Sequence, residues 1–254
     1  MNRQSQAAVL FLLGAALLHA GTTDLYLRYV KAGLRPLLLA SGAILIVTAL
    51  ATAWYERRRA RGRREEEHEH DQDREDGRGR EQGHVHPEPR VSWLLILPLL
   101  ALILVAPPAL GSYSATRTGT ALQEPLAYPA LPAADPLALS VVDYAGRAVY
   151  DHGRTLTGRE IRLTGFVALD QDGTPYLVRM ALNCCAADAQ PVKVGLTGHI
   201  PPVLQPDAWL SVTGTYIPRT VHDPVNGGPI PFIEVTAAEP TPVPRDPYDE
   251  SWNN

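Results

Sequence analysis

Two cysteines, Cys184 and Cys185, are the only ones in this chain of 254 residues; they stand side by side, with Asp188 three positions later. Thiols and a carboxylate at that spacing point to soft-metal or redox chemistry. A trans peptide fixes neighbouring Cα atoms about 3.8 Å apart, below the roughly 4.4–6.8 Å of ordinary disulfides. A bond between the two would be strained and easily reduced. The pair therefore has four uses open to it: small apolar packing groups, two thiolates on a soft metal, a redox switch, or disulfides to another molecule. Zinc wants four tetrahedral ligands, of which Cys184, Cys185 and Asp188 supply three at most. Adjacent side chains of an extended chain point to opposite faces, so the backbone must turn at 184–185. A fourth ligand such as His199 or His222 has to come from elsewhere.

Other ligand-type residues are scattered. His68-Glu69-His70 and His84-Val85-His86 lie among carboxylates and arginines. Imidazole suits zinc, nickel and copper, but without a fold to fix the geometry such pairs bind loosely, and a solvated linker explains them equally. His19, with Asp24 beyond it, falls near the end of an apolar run, where an ionisable group is a functional candidate or simply reaches water. His152, between Asp151 and Arg154, reads as a surface turn. The chain has no Gly-x-Ser-x-Gly, no His-Glu-x-x-His and no phosphate-binding glycine loop, so catalysis is not expected.

The elements that must position the cysteines read as strands. The apolar run Pro175 to Asn183 leads straight into Cys184, so the pair sits where a strand gives way to a loop. Further strands are expected over 158–170, with Gly165 a point of close approach, and over 191–198, 208–217 and 231–237. Five short strands with internal glycines and proline-rich connections predict a small all-β barrel of the OB-like, Greek-key type over 137–240, with a β-sandwich as the alternative. Val141 to Tyr150 fits a short helix, on Val142, Ala145 and Val149, or a strand. These strands carry no basic stripe or aromatic ladder, so nucleic acid is not an expected partner.

Ahead of the barrel the chain is built for a membrane. Three apolar runs predict three transmembrane helices, at about 7–26, 36–55 and 91–110. The first also resembles a signal peptide, but its apolar character continues through Leu25-Tyr26-Leu27. Between the second and third, residues 56–90 are Arg, Glu, Asp, Gly and His, a composition that predicts a disordered linker. Residues 111–136 read as a tether and 241–254 as a tail. The net charge of −4 is uninformative, because the charges are concentrated in that linker. Arg57-Arg58-Arg59-Ala60-Arg61-Gly62-Arg63-Arg64 should stay cytoplasmic. The N-terminus is then inside the plasma membrane, and the barrel with its cysteines is outside, facing an oxidising compartment.

Taken together, the two N-terminal spans, the His-bearing linker, the third span and the β domain resemble the YcgQ-like (DUF1980-type) family of permease subunits. The most specific part of the likeness is Arg-x-x-x-x-Cys-Cys-x-x-Asp-Ala-x-Pro, matched by Arg179, Cys184, Cys185, Asp188, Ala189 and Pro191. The resemblance implies a bilayer-anchored accessory subunit of a separate polytopic permease of the YraQ type, with an association with zinc homeostasis. Beside that stand two other readings. One is an extracytoplasmic thiol redox or sensing protein; the other is a structural scaffold whose cysteines are core.

Overall fold

The computed structural model describes residues 3–70, 97, 100, 105 and 108–250, divided into two compact units. The first unit holds two long helices. Helix α1 spans Arg3–Thr22 and α2 spans Arg35–His70. Gln4–Thr22 and Ala32–Arg59 are each long and apolar enough to cross a membrane,. The helices cross where both present glycine. A Cβ on Gly14 would stand 2.8 Å from the Gly42 carbonyl oxygen, so only small residues allow this approach.

Helix α2 corrects one expectation. It runs on through Glu56 to His70, so the segment predicted to be disordered is helical over its first turns. Its residues are mostly Arg and Glu, good helix formers, and an existing helix is extended far more easily than one is nucleated. Residues 71–90 of that linker, and most of the predicted third span, lie outside the described residues. The end of that span, Pro108–Leu110, is not helical and belongs to the second unit.

The second unit comprises Asp24–Leu34 and residues from Pro108 onward. Its centre is a closed barrel of five strands: β2 (Glu160–Leu169), β3 (Pro175–Leu182), β4 (Gln190–Gly198), β5 (Trp209–His222) and β6 (Pro229–Pro240). Around the barrel the order is β2-β5-β6-β4-β3, and β3 pairs back to β2. Every barrel pairing is antiparallel except β4 with β6, which is a Greek-key arrangement. Strand β2 serves two neighbours: its residues up to Phe166 pair with β5, and those from Phe166 onward pair with β3. Gly165 sits at the changeover, where a Cβ would come 2.7 Å from the Val178 carbonyl oxygen. The close approach expected at this glycine is what closes the barrel.

Two apolar clusters explain why β3 reads as a continuous apolar run rather than an alternation. Leu177 and Ala181 face the barrel interior with Ile161, Val194 and Ile233, while Tyr176, Val178, Met180 and Leu182 face a second cluster with Phe166 and Phe232. The ambiguous segment is helix α4 (Val141–Val149), which packs Val142, Ala145 and Ala148 against the barrel core. Ser140 caps it, accepting a hydrogen bond from the Asp143 amide at 2.9 Å,.

Residues 111–136 are not a loose tether. Helix α3 (Ser112–Arg117) buries Ala115, and Asp207 accepts bonds from both the amide and the hydroxyl of Ser112. Further on, the Ala121 amide donates to the Pro191 carbonyl at 2.9 Å. Arg147 donates to the Pro129 carbonyl, and Arg159 to those of Pro132 and Ala134. The tail is corrected in the same way. Strand β7 (Tyr248–Glu250) lies parallel to β3, as the two-residue β1 (Leu137–Ala138) does to β2.

Candidate functional site

Strand β3 ends at Leu182, the chain bends at Asn183–Cys184, Cys185 is extended (φ −152°, ψ 168°), and a single 3-10 turn covers Ala186–Asp188. This is the turn that adjacent cysteines require if they are to act together. It brings one ligand atom from each of Cys184, Cys185 and Asp188 within 4.8 Å of one another.

Asp188 organises the loop. Its Oδ2 accepts from the Cys184 amide at 2.9 Å, the Cys184 thiol at 2.9 Å and the Cys185 amide at 3.4 Å, and its Oδ1 accepts from the Asn183 amide at 3.1 Å. Burial pushes this carboxyl up, but the hydrogen bonds from the Cys184 thiol and the three amides outweigh it and hold Asp188 below the usual carboxylate range,. The same contact acts on the thiol in reverse. Its hydrogen bond to Asp188, followed by the one with Cys185, pushes Cys184 up to about 11. Such a thiol is protonated at neutral pH, whereas a redox thiol is normally lowered. Cys184 is exposed and Cys185 only half-buried, so the reading of the pair as core packing groups is overturned.

A second segment holds the loop from outside. The Lys31 amide donates to the Cys184 carbonyl at 3.1 Å, and the Ala186 amide donates to the Tyr29 carbonyl at 2.7 Å. Between these bonds Val30 lies opposite Cys185 in an antiparallel bridge. The connection between α1 and α2 thus forms a short strand partner for the cysteine loop, within the same unit as the barrel. Its seat is fastened further by the Tyr248 hydroxyl, which donates to the Arg28 carbonyl, and by an ion pair of Asp24 with Arg245.

Arg179 of the motif is a structural residue. It is buried in β3, pairs with Asp249 at 2.9 Å, donates to the Tyr248 carbonyl and lies over the Trp209 ring. Asp249 in turn accepts from the Val141 and Val142 amides, at the start of α4. Ala189 and Pro191 lead from the 3-10 turn into β4, where Pro191 pairs with Met180.

Among the described residues no histidine joins the ligand cluster. His199 follows the end of β4, and His222 ends β5 with its Nδ1 3.1 Å from the Gly227 carbonyl oxygen. His19 is exposed on α1, and His68 and His70 lie in the last turn of α2. His84 and His86 are outside the described residues. His152 is exposed in a turn, beside an ion pair of Asp151 with Arg154, as expected. Sequence reasoning missed Tyr29, Val30 and Lys31, which act through backbone groups, and Asp249, which lies in the predicted tail.

Residues 138–249 match the model of the DUF1980 C-terminal domain. The match begins within β1, ends within β7 and contains the whole barrel, the cysteine loop and Asp249. Neither the curated proteins nor the solved structures contain a match to the chain.

Proposed function

We propose that this chain, which carries a DUF1980 C-terminal domain, is a membrane-anchored accessory subunit whose outer domain presents a soft-metal site to a separate polytopic permease. The observation that carries this reading is the convergence of Cys184, Cys185 and Asp188 within 4.8 Å on an exposed loop. Two thiols and a carboxylate are a donor set for zinc or another soft ion. Among the described residues the cluster holds three donors, which leave one coordination position of a tetrahedral ion open, unlike closed structural sites. The metal is then cargo held for transfer.

The membrane arrangement follows from α1 and α2 and from the arginines after the second span. Arg57 to Arg64 are held at the cytoplasmic face of the plasma membrane, and the loop between α1 and α2, with the barrel that it pairs to, is extracytoplasmic. The predicted third span, at about 91–110, returns the chain to the outer face, and three spans carrying few polar groups do not form a pore by themselves, so transport is assigned to a YraQ-type partner and zinc homeostasis to the pair of subunits.

The test is the metal content of the full-length protein, purified in detergent and loaded with zinc. The native chain is expected to retain about one zinc per molecule, and the Cys184→Ser, Cys185→Ser double variant none. Equal zinc in both, or none in the native protein, removes the site from this reading.

A further inference from the structure

The cysteine loop is held by a piece of chain that belongs, in sequence, to the membrane anchor. Tyr29–Lys31 lies in the connection between α1 and α2, and backbone bonds attach it to the loop: Lys31 amide to Cys184 carbonyl, and Ala186 amide to Tyr29 carbonyl. These two bonds bracket Cys185 and fix it in the extended conformation. The bend at Asn183–Cys184 and the 3-10 turn then place all three ligand atoms together. Without the bracket, Cys185 loses the two bonds that flank it, and the loop is left to the bonds that Asp188 accepts and to the 3-10 turn. Adjacent cysteines lose their convergence as soon as the intervening backbone rotates, because their side chains swing to opposite faces.

We infer that the 29–31 segment is the positioning element of the metal site, and that zinc at Cys184, Cys185 and Asp188 and the seating of this segment on the barrel strengthen each other. The inference rests on the metal reading above and adds its regulation. A seated segment delivers the ligands already in place, so less ordering is required at the moment of binding. By reciprocity, a bound ion that rigidifies Cys184–Asp188 tightens the seat by the same factor.

The experiment uses the full chain in detergent, with zinc as the probe and a competing chelator to read affinity. Lys31→Pro removes the amide that donates to Cys184 while leaving an extended backbone allowed at Val30; Lys31→Ala keeps that amide. Zinc affinity is expected to fall by about 5-fold or more in Lys31→Pro, within the usual range of coupling between sites, and to fall less in Lys31→Ala, which keeps the amide. In the native chain, zinc should slow hydrogen exchange at the Lys31 and Ala186 amides, and it should not do so in the Cys184→Ser, Cys185→Ser variant. The exchange arm needs no proline variant, so misfolding of Lys31→Pro cannot decide the question. Equal affinity in a folded Lys31→Pro, or zinc binding that leaves Lys31 exchange unchanged, overturns the coupling while sparing the site. Absence of zinc binding in the native chain overturns both.

Discussion

At the scale of single residues, the cysteine loop turns on one carboxylate. Asp188 accepts hydrogen bonds from the Cys184 thiol and from three backbone amides at once, which makes it both the organiser of the loop and the group that holds the Cys184 thiol in its protonated form. In Asp188→Asn, the carboxylate whose hydrogen bond, and then whose charge, raises the thiol is gone. Cys184 should then fall from about 11 toward the ordinary value of about 8.5. Its alkylation by iodoacetamide at pH 8 should accelerate by at least about 10-fold, and an unchanged rate would show that Asp188 does not control the thiol. The three candidate ligands were named from residue type and spacing, and the loop brings them together. Their partners on the 29–31 segment were not, because a bridge made of amides and carbonyls leaves no side-chain signature. Arg147 escaped for another reason: an arginine only 1% exposed is predicted by no hydropathy pattern, and its burial depends on Asp143, Thr155 and the Pro129 carbonyl meeting it in space.

At the scale of elements, the barrel strands could be read because each carries its own apolar pattern, and β3 was found despite lacking alternation, its two faces being buried in different clusters. The wrapping of residues 111–136 could not be read. Its Pro and Ala side chains signal a linker, while its attachment runs through carbonyls and through a buried ion pair at the far side of the barrel. Lys193 and Asp223 meet there at 2.7 Å with side chains 6% and 0% exposed. Asp223 also accepts from the Thr120 and Val225 amides. Lys193→Met would strand this carboxylate without its counter-charge, a change that costs about 3 kcal/mol or more. Denaturant unfolding should register that loss, and limited proteolysis should show faster cutting within 118–136. Unchanged stability would mean that the two amides alone satisfy Asp223.

At the scale of the whole molecule, four depressed carboxyls, Asp151, Asp172, Asp188 and Asp223, give stability a definite response to acid. Burial raises each of Asp151, Asp188 and Asp223, and hydrogen bonds overcome it: Arg154 and Thr155 at Asp151, the Cys184 thiol and loop amides at Asp188, and Lys193 with two amides at Asp223. Each is lower in the folded chain than its unfolded value of about 3.9. Their contribution is therefore complete above that value and is lost as pH falls through the folded ones. Thermal unfolding followed by circular dichroism should give a midpoint that these groups leave level from pH 7 to about pH 5 and that drops below about pH 4. A midpoint that rises on acidification would contradict the assignment.

The barrel unit is assembled from pieces far apart in the chain. Its first piece, Asp24–Leu34, is synthesised before α2, and its last, β7, comes at the other end; the two meet where Tyr248 reaches the Arg28 carbonyl. During translation, the early piece must wait for the cysteine loop and, for its contact at Arg28, until the final strand has emerged. A ribosome that stops short of Tyr248 therefore leaves more than a missing edge strand: it leaves the connection between the first two helices without the contact at Arg28 that helps to seat it.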